Sequence, residues 1–273
     1  MSAIAERRRA TTPAAVRPRL SWRRLPASLL SLTVGAVLWE VVGRIADVPF
    51  FPPLSVVLAR LVEMVSDGLI LSSLSASLVN LAFGFGISLT LGLVVGVAMG
   101  RYRKVEAAFG VYVYALLTAP SLVFAPIFFS LLGAGRGSIV AVVVMYSLFI
   151  IIINTASAVQ TVPAHLIEMG RSYGAGEWQL LLRIILPAAA PMIMAGLRLG
   201  VGRAVTGMIN GEMFIAVVGL GRIVTQAGGR FDGASVLAVL LVIIGVALGA
   251  VALVQAVDRR VTSWLPRTSR GES

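Results

Sequence analysis

The chain has 273 residues, of which 58% are hydrophobic and only 13% are charged, and its mean hydropathy is +0.94. Soluble domains carry about a quarter charged residues, so this composition indicates membrane-embedded helices rather than a soluble domain. Cysteine is absent, which excludes disulfides and thiol chemistry. The net charge of +11 would suggest nucleic acid as the partner of a soluble protein, but here most basic residues flank apolar runs, so we expect membrane lipid and no nucleic acid.

The chain begins with a basic segment and a first apolar run. Residues 1–24 are rich in Arg, Ala and Pro and lack apolar periodicity, which predicts a disordered tail. The apolar run at 25–46 is long enough for a membrane span, and a turn rich in Pro and Phe follows it at 47–53. Residues 55–68 have helical spacing but are too short and too charged to cross, so we expect this helix to lie at the outer membrane interface.

Five further apolar runs predict an all-α membrane protein with about six transmembrane helices. These runs cover residues 76–100, 108–132, 138–160, 190–216 and 235–257. The third span is expected to be broken by Pro120 and Pro126. A glycine-punctuated loop is predicted at 219–233, and residues 263–273 form a second polar tail. In the second span, small residues recur at every fourth position and let another helix approach closely: Gly92, Gly96 and Gly100.

The basic residues predict how the chain is oriented in the membrane. Clusters at 7–9, 101–104 and 259–260 fall on one side of the predicted spans, whereas the other side carries scattered single arginines. Because Lys and Arg are enriched on the cytoplasmic side, we expect both termini and residues 161–187 to be cytoplasmic.

The segment 161–187 is the one long polar interruption of this apolar sequence. Its apolar residues recur at helical spacing over 164–172 and 176–186, which predicts two short helices joined by a glycine turn. Gly174 permits the backbone angles that a sharp turn needs. Pro187 lacks an N–H group, so the second helix is expected to end or restart there. We therefore expect a compact polar projection that contacts something outside the membrane.

The spacing of residues in this segment resembles the EAA loop of ABC-importer permeases. Met169 and Gly170 occupy two positions where that family usually has small residues, and only the second is small here. Five residues match the offsets of the loop's signature: Glu168, Gly174, Ile184, Leu186 and Pro187. Other segments are similar to the nitrate, sulfonate and taurine branch of the family, so that the resemblance covers about residues 25–262: Trp39-Glu40, 52–55, 196–214 and 219–221.

This resemblance implies a function and a set of partners. The chain would be the permease subunit of an ATP-binding-cassette importer in a bacterial inner membrane, with its transmembrane domain at 25–262. Two permease copies, most simply a homodimer, would form the translocation path. Two cytoplasmic ABC ATPase subunits would each receive one loop, and an extracytoplasmic substrate-binding protein would deliver the solute. The branch implies a small organic or inorganic anion such as a sulfonate or nitrate, but it also includes carriers of thiamine-precursor pyrimidines.

The resemblance also implies which residues couple the loop to the ATPase. Glu168 lies three residues before Arg171, so it can pair with that arginine or bind groups of the partner. The full set expected to act in coupling is Glu168, Arg171, Gly174, Ile184, Leu186 and Pro187.

The residues needed for catalysis are missing from the sequence. The single histidine, His165, lies in the polar segment, and the chain has no cluster of His or Cys for a metal. No G-x-x-x-x-G-K-[ST] sequence occurs, so a phosphate-binding loop of that type is absent. We therefore expect no catalytic, cofactor or metal site, and a transport subunit whose ATP is hydrolysed by another chain.

Polar residues inside the predicted spans are candidates for a translocation path, because burying them in lipid is costly. Arg203 and Asn210 are seven residues apart and share a helix face. We expect this pair to line the path, and polar groups in the third span can add to it: Thr118 and Ser121. In the alternative interpretation, such residues only satisfy hydrogen bonds between helices.

Two further pairs are expected to make contacts within the protein. Arg198 and Glu212 are fourteen residues apart and share a different face of the fifth span, where they would contact neighbouring helices. Glu40 precedes Arg44 by four residues, a spacing that favours a local ion pair.

Two other classes of membrane protein remain open at this point. An ion-coupled transporter or channel would work without ATP, using intramembrane Arg and Glu, and would transport solute in vesicles that lack an ATPase. A structural membrane subunit would carry no solute in any assembly.

Overall fold

The computed structural model describes residues 24–264 apart from 47, 49 and 216, and every regular element in that part of the chain is helical. The prediction of an all-α fold is therefore confirmed. The tails predicted at 1–24 and 263–273 lie outside the described residues, except for Arg24 and residues 263–264 at their inner ends.

The helices follow one another with short connections. The first half of the chain forms α1 (Arg24–Ala46), α2 (Leu54–Ser66), α3 (Leu69–Arg101), α4 (Arg103–Thr118), a 3-10 turn (Ser121–Phe124) and α5 (Ala125–Leu132). The second half forms α6 (Arg136–Gln160), α7 (Ala164–Ser172), α8 (Glu177–Leu180), a π-helical turn (Leu181–Ile185), α9 (Leu186–Ile215), α10 (Gly219–Gly229) and α11 (Gly233–Val261).

Five helical segments of the described residues are long and apolar enough to cross a membrane, namely α1, α3, α6, α11 and the continuous run from α8 through α9. A sixth span is formed if α4 is counted together with the segment Ser121–Leu132, which is bent away from it by 97°. The number of about six predicted spans is thus confirmed, with the third span sharply bent.

The centre of the bundle is built from α3, α6 and α9, which approach closely through glycines. A Cβ atom at Gly96 would lie 2.6 Å from the Cβ of Thr155, so only glycine allows this separation. The two helices run parallel, because residue numbers increase in the same direction along both sides of their contact. The contacting pairs are Gly84 with Val143, Gly92 with Ile151, Gly96 with Thr155 and Gly100 with Val159. The close approach predicted from the spacing of small residues is confirmed.

The opposite side of α6 receives α9 in the same way but in the antiparallel direction. Here the glycines belong to α9, and residue numbers decrease along α6 as they increase along α9. The contacting pairs are Gly196 with Asn154, Gly200 with Ile151, Gly207 with Tyr146 and Gly211 with Ile139. As a result, α6 is enclosed between two helices, and half of its most apolar 18-residue window is buried within the single chain.

The first helix is attached mainly near its C-terminal end. The indole N–H of Trp39 donates to the Pro52 carbonyl at 3.2 Å, and the Trp39 ring stacks on Phe51. Glu40 accepts hydrogen bonds at 2.9 Å from both the amide and the hydroxyl of Ser55, and it pairs with Arg44 at 2.5 Å. The local Glu40–Arg44 ion pair was predicted, whereas the capping of α2 by Glu40 was not.

Several elements differ from the sequence prediction. The second span starts at Leu69 rather than 76, because no charge or proline interrupts the run from residue 69. Pro120 does separate α4 from the following turn, but Pro126 lies in the first turn of α5, where its missing N–H leaves no bond unmade. Residues 219–233, predicted as a loop, contain the 11-residue helix α10. Glycine has a low intrinsic helix propensity, and contacts with the rest of the bundle override it here.

The prediction that the second short helix ends or restarts at Pro187 is confirmed in its second form, because a new α-helix, α9, begins at Leu186. Residues Glu177–Ile215 form one continuous helical run, and Pro187 is the second residue of α9. The π-helical turn Leu181–Ile185 ends two residues before this proline. A wider turn at this point accommodates the proline ring and the carbonyl that has lost its donor.

Candidate functional site

The two ends of the bundle carry different polar structures. We call the end where α3 finishes at Arg101 and the segment 161–185 projects the loop end. We call the opposite end, where α2 and α10 lie, the cap end. Each candidate site residue is described at the end where it lies.

A tight turn joins α7 to α8 at the loop end. Gly174 has φ +79°, in the left-handed region that favours glycine. The Ala175 amide donates to the Gly170 carbonyl at 3.0 Å, and the Gly174 amide donates to the Arg171 carbonyl at 2.9 Å. These two bonds define a Schellman motif with Gly174 just past the helix end. The positive φ on which the predicted role of Gly174 depends is therefore present.

Gly170 allows α7 to pack directly on the segment that follows the turn. A Cβ atom at this position would lie 2.6 Å from a methyl carbon of Leu180 and 2.5 Å from one of Ile184. Leu180 and Ile185 are buried, and Ile184 is half-buried. The small residue at position 170 is thus required by packing, and the projection is a single packed unit.

A bridge of charged residues connects the projection to α3. Nη2 of Arg171 lies 2.9 Å from Oε1 of Glu177, and the guanidinium of Arg101, the last residue of α3, binds the other carboxylate oxygen of Glu177. Glu168 is exposed and is not the partner of Arg171, so the possible pairing of those two residues is not formed. Sequence reasoning missed Glu177 because its partner Arg101 is 76 residues away.

The projection exposes large side chains to its surroundings. Met169, Tyr173 and Trp178 are 53%, 87% and 70% exposed. Glu168 lies on the exposed side of α7, whereas Leu186 and Pro187 are half-buried where the projection joins the bundle. The surface around Glu168 can therefore receive a partner, while Leu186 and Pro187 contribute to anchoring the projection.

On α9 the structure places Arg203 and Asn210 in different environments. The Arg203 side chain is exposed on the surface of the single chain. Asn210 is half-buried, and its Nδ2 donates to the Tyr146 hydroxyl at 2.9 Å. Asn210 also lines a cavity of about 340 Å³ between α9, α10 and α11, together with Thr206.

The two residues expected to add to the path from the third span lie on α4 and on the turn after it. The Thr118 hydroxyl donates within α4, to the Ala115 carbonyl at 2.9 Å and to the Tyr114 carbonyl at 3.2 Å. Ser121 is half-buried at the start of the 3-10 turn, which packs against α9. The structure therefore brings the segment of Ser121 to α9, whereas the hydrogen bonds of Thr118 stay within its own helix.

Glu212 lies at the cap end and is fully buried. Its carboxylate accepts from the Ser77 hydroxyl at 2.8 Å, from Nδ2 of Asn80 at 3.0 Å and from the Gly221 amide at 3.1 Å. The Ser77 hydroxyl in turn accepts from the Leu220 amide at 2.9 Å. Glu212 therefore joins α9 to α3 and to the N-terminus of α10, a position where helix amides favour a negative charge.

The glycines at the start of α10 make room for this carboxylate. Gly219 has φ +81°, and a Cβ atom there would overlap the Glu212 carboxylate. A Cβ atom at Gly221 would lie 2.6 Å from the Glu212 Cβ. The Gly-Leu-Gly sequence is thus a cradle for Glu212. Ser77 and Asn80, three residues apart in an apolar span, were not singled out from the sequence, although polar side chains at that spacing could have indicated its partner helix.

Arg198 forms an ion pair with α11. Its Nη2 lies 3.4 Å from Oδ2 of Asp258, and Asp258 also accepts from the Thr262 hydroxyl. Both Arg198 and Glu212 thus contact neighbouring helices in the structure. Within the described residues, no group of three or more His, Cys, Asp or Glu side chains is arranged to hold a metal ion.

A bundle of apolar helices with a packed polar projection at one end has the architecture of a membrane transport permease. Residues 88–263 match the family described as binding-protein-dependent transport system inner membrane component. The chain belongs to this family and is an ABC transporter permease, a transport subunit rather than an enzyme.

Individual relatives align over nearly the whole chain. A probable ABC transporter permease protein of Brucella abortus (strain 2308) is 30% identical over 89% of this chain and 97% of its own length. The riboflavin transport system permease protein RibX of Chloroflexus aurantiacus is 30% identical over 90% of this chain and 92% of its own. The taurine transport system permease protein TauC of Escherichia coli (strain K12) is 28% identical over 90% and 94%.

The fold also matches solved structures. The inward-facing MetNI methionine ABC transporter aligns with a TM-score of 0.57 and 20% identity in one crystal form, over 72% of this chain and 94% of the matched chain. A second crystal form aligns with a TM-score of 0.55 and 22% identity, over 71% and 92%. These comparisons show that the chain shares the fold of the matched chain of that transporter.

Proposed function

We propose that this permease belongs to an importer in which residues 161–187 are the coupling element, receiving a cytoplasmic ABC ATPase and passing its movement to the bundle. The observation that carries the proposal is the projection itself. It is a single packed unit, stiffened by the Gly174 Schellman turn and the Gly170 contact, and it exposes Glu168 beside large apolar side chains. A rigid body with an exposed mixed surface is suited to transmit force from a partner.

The remaining partners follow from this assignment. The loop end would face the cytoplasm, as the clusters of Arg and Lys also indicate, and both termini would be cytoplasmic. The cap end would then meet an extracytoplasmic substrate-binding protein. A second identical copy is supported by one face of α9 that is exposed along its length: Met192, Ala195, Leu199, Arg203, Thr206 and Met213.

The coupling role is tested in proteoliposomes that contain the permease and its ATPase. Gly174→Val forces a β-branched residue to φ +79°, at a cost of about 1–3 kcal/mol, and Glu168→Ala removes an exposed carboxylate. Both variants should remain in the membrane but lose ATPase co-purification or solute-stimulated hydrolysis. Gly176→Ala is the matched control, because its φ is −70° and a Cβ atom there has no neighbour within 4 Å.

Two results would contradict the coupling role. One is wild-type ATPase binding and coupled uptake in both Gly174→Val and Glu168→Ala. The other is solute uptake by the permease in vesicles without any ATPase, which would favour an ion-coupled transporter.

The orientation is tested by single-cysteine labelling, since the native chain has no cysteine. In intact cells an impermeant thiol reagent should label Ser66→Cys, on α2 at the cap end, but not His165→Cys in the projection. Labelling of His165→Cys before the membrane is permeabilised would reverse the proposed topology.

We also propose that the solute is a small organic or inorganic anion. The support is the cationic Arg203 on the exposed face of α9, together with relatives named for taurine and aliphatic sulfonates. Other relatives are named for riboflavin and formylaminopyrimidine, so a panel of sulfonates, nitrate and neutral heterocycles is the appropriate probe. Anion uptake should fall in Arg203→Ala and be partly kept in Arg203→Lys. Equal uptake by Arg203→Ala and wild type would argue against the anion.

A further inference from the structure

Glu177 occupies the only point in the described residues where an ion pair joins the projection to α3. Its two carboxylate oxygens are shared between Arg171 of α7 and Arg101 at the end of α3. The projection is otherwise continuous with α6, through residues 161–163, and with α9, through the π-helical turn. Glu177 therefore adds a non-covalent connection to a third helix of the central bundle.

The two arginines in this bridge are held differently. Arg101 is only 21% exposed, its Nε is buried, and its guanidinium lies 5.7 Å from the centre of the Tyr102 ring. Arg171 is 55% exposed and lies on α7. Arg101 thus forms a fixed anchor on α3, and Glu177 connects it to the part of the projection that carries the exposed Glu168.

Ion pairs that water can reach add little to stability, so this bridge is not explained as a device that holds the fold together. Its geometry suits the positioning of one body against another. A carboxylate bound by two guanidinium groups restricts the direction in which the projection can move relative to α3.

The helix to which Glu177 connects is clamped along its length. Glycines on α3 seat it against α6, and Ser77 and Asn80 near its other end bind the buried Glu212. Arg101 and Asn80 are 21 residues apart on one helix, which corresponds to about 32 Å at 1.5 Å per residue. A displacement applied at Arg101 therefore acts on one continuous helix that also carries the polar contacts to Glu212 beside α10.

We propose that Glu177 is a positioning residue for energy coupling: by bridging Arg171 and Arg101, it transmits movement of the projection to α3 and through it to the cap end. This role rests on the proposed function of residues 161–187 as the coupling element. It differs from ATPase binding, because Glu177 faces α3 and α7 with its carboxylate and leaves the surface around Glu168 unchanged.

The test uses the full transporter in proteoliposomes and measures three quantities: ATPase bound per permease, the basal rate of ATP hydrolysis, and solute imported per ATP. Glu177→Gln keeps the shape of the side chain but removes its charge. We expect bound ATPase and basal hydrolysis at wild-type levels, with solute imported per ATP reduced about fivefold or more, the lower end of typical coupling between sites. Arg183→Gln, an exposed arginine of the same segment, is the matched control and should behave as wild type.

A double-mutant cycle separates a bridge from two unrelated structural effects. Arg101→Gln should lower the imported solute per ATP as Glu177→Gln does, and the double variant should be no worse than either single variant, because both remove the same contact. Arg101→Lys should recover part of the loss. Rising ionic strength should lower coupling in the wild type and leave the Glu177→Gln variant unaffected, since an exposed ion pair is screened by salt.

Several outcomes would overturn the proposal. The first is wild-type solute import per ATP in Glu177→Gln, and the second is loss of bound ATPase in that variant. The third is a double variant whose import per ATP falls by the product of the two single losses. Gly174→Val distinguishes failure of the Glu177 bridge from failure of the coupling segment as a whole. If it uncouples transport while Glu177→Gln does not, only the bridge is wrong; if Gly174→Val, Glu168→Ala and Glu177→Gln all keep wild-type coupling, the coupling function of the whole segment fails.

Discussion

The two ends of α3 contrast in how they use charge. At the loop end, Arg101 meets Glu177, whose side chain is 57% exposed, and both partners of that carboxylate are cations. At the cap end, Glu212 is fully buried, and the donors found around it are a hydroxyl, an amide group and a backbone N–H. Water can replace the contacts at the first end at little cost, whereas breaking those at the second leaves buried donors unmatched.

Glycines at the two ends show the same contrast. Gly174 has a positive φ and open space where a Cβ atom would lie, so it is required for the backbone angle alone. Gly219 also has a positive φ, but a Cβ atom there would overlap the carboxylate of Glu212. The loop end is therefore a stiff body with free surroundings, and the cap end is a close-packed joint. This difference would suit a loop end that moves as one body and a cap end that keeps its helices together.

The largest expected effect is at the cap end. Glu212→Ala removes the acceptor of three buried donors, and each unsatisfied donor costs about 1–3 kcal/mol, so the free energy of unfolding should fall by roughly 3 kcal/mol or more. Unfolding in detergent micelles, followed by tryptophan fluorescence, measures this loss. Glu168→Ala, which removes an exposed carboxylate, is the control and should leave stability unchanged. A loss below about 1 kcal/mol in Glu212→Ala would mean that water enters the cluster and replaces the carboxylate.

A smaller effect is expected in the middle of α3. Gly96→Ala would place a Cβ atom 2.8 Å from the Ile152 carbonyl oxygen, and because backbone cannot rotate away, α3 and α6 must separate at a cost of about 1–3 kcal/mol. Gly86→Ala on the same helix is the control, since a Cβ atom there has no neighbour within 4 Å. Gly86→Ala should be neutral or stabilising by up to about 1 kcal/mol, because alanine is the better helix former. Equal effects of the two substitutions would show that α3 and α6 are not in close contact in the membrane.

The smallest effect is expected at Asp232, which caps α11 outside the spans. Burial raises the pKa of Asp232. Hydrogen bonds from the Ser235 hydroxyl and amide, together with the charge of Arg60, lower this pKa by more than burial raises it, so the pKa lies below its ordinary value of 3.8. A carboxylate with a depressed pKa in the folded state stabilises the fold fully above its ordinary pKa and loses this contribution as the pH falls through the folded pKa. The wild type should therefore lose stability below about pH 4, where aspartate begins to take up protons.

Asp232→Asn isolates this titration, because asparagine also caps helices and cannot change its charge. At neutral pH the variant should differ from the wild type by less than about 1 kcal/mol. Its thermal midpoint should depend less on pH between 3 and 5, over roughly the range in which Asp titrates. Parallel pH profiles for the two proteins would show that the bond to Ser235 and the proximity of Arg60 do not persist in solution.

Much of this protein could be predicted from local patterns in the sequence. The apolar runs predict the spans because a backbone in lipid must satisfy its own hydrogen bonds, and helices do so. The four-residue spacing of Gly92, Gly96 and Gly100 predicts a close helix contact because those positions share one face. The turn at Gly174 was predictable for the same kind of reason, since a sharp turn between two short helices requires a residue that tolerates positive φ.

Only the tertiary structure decided the contacts between residues far apart in the chain and the elements that depend on those contacts. Glu177 meets Arg101 across 76 residues and Glu212 meets Asn80 across 132, and no periodicity encodes such pairs. The glycine-rich start of α10 has little intrinsic tendency to form a helix, and it does so where its amides meet the Glu212 carboxylate. Composition and spacing determine which segments are helical and which faces are small; the packing of those faces then selects the charged partners, because only in the assembled bundle do their atoms come within hydrogen-bonding distance.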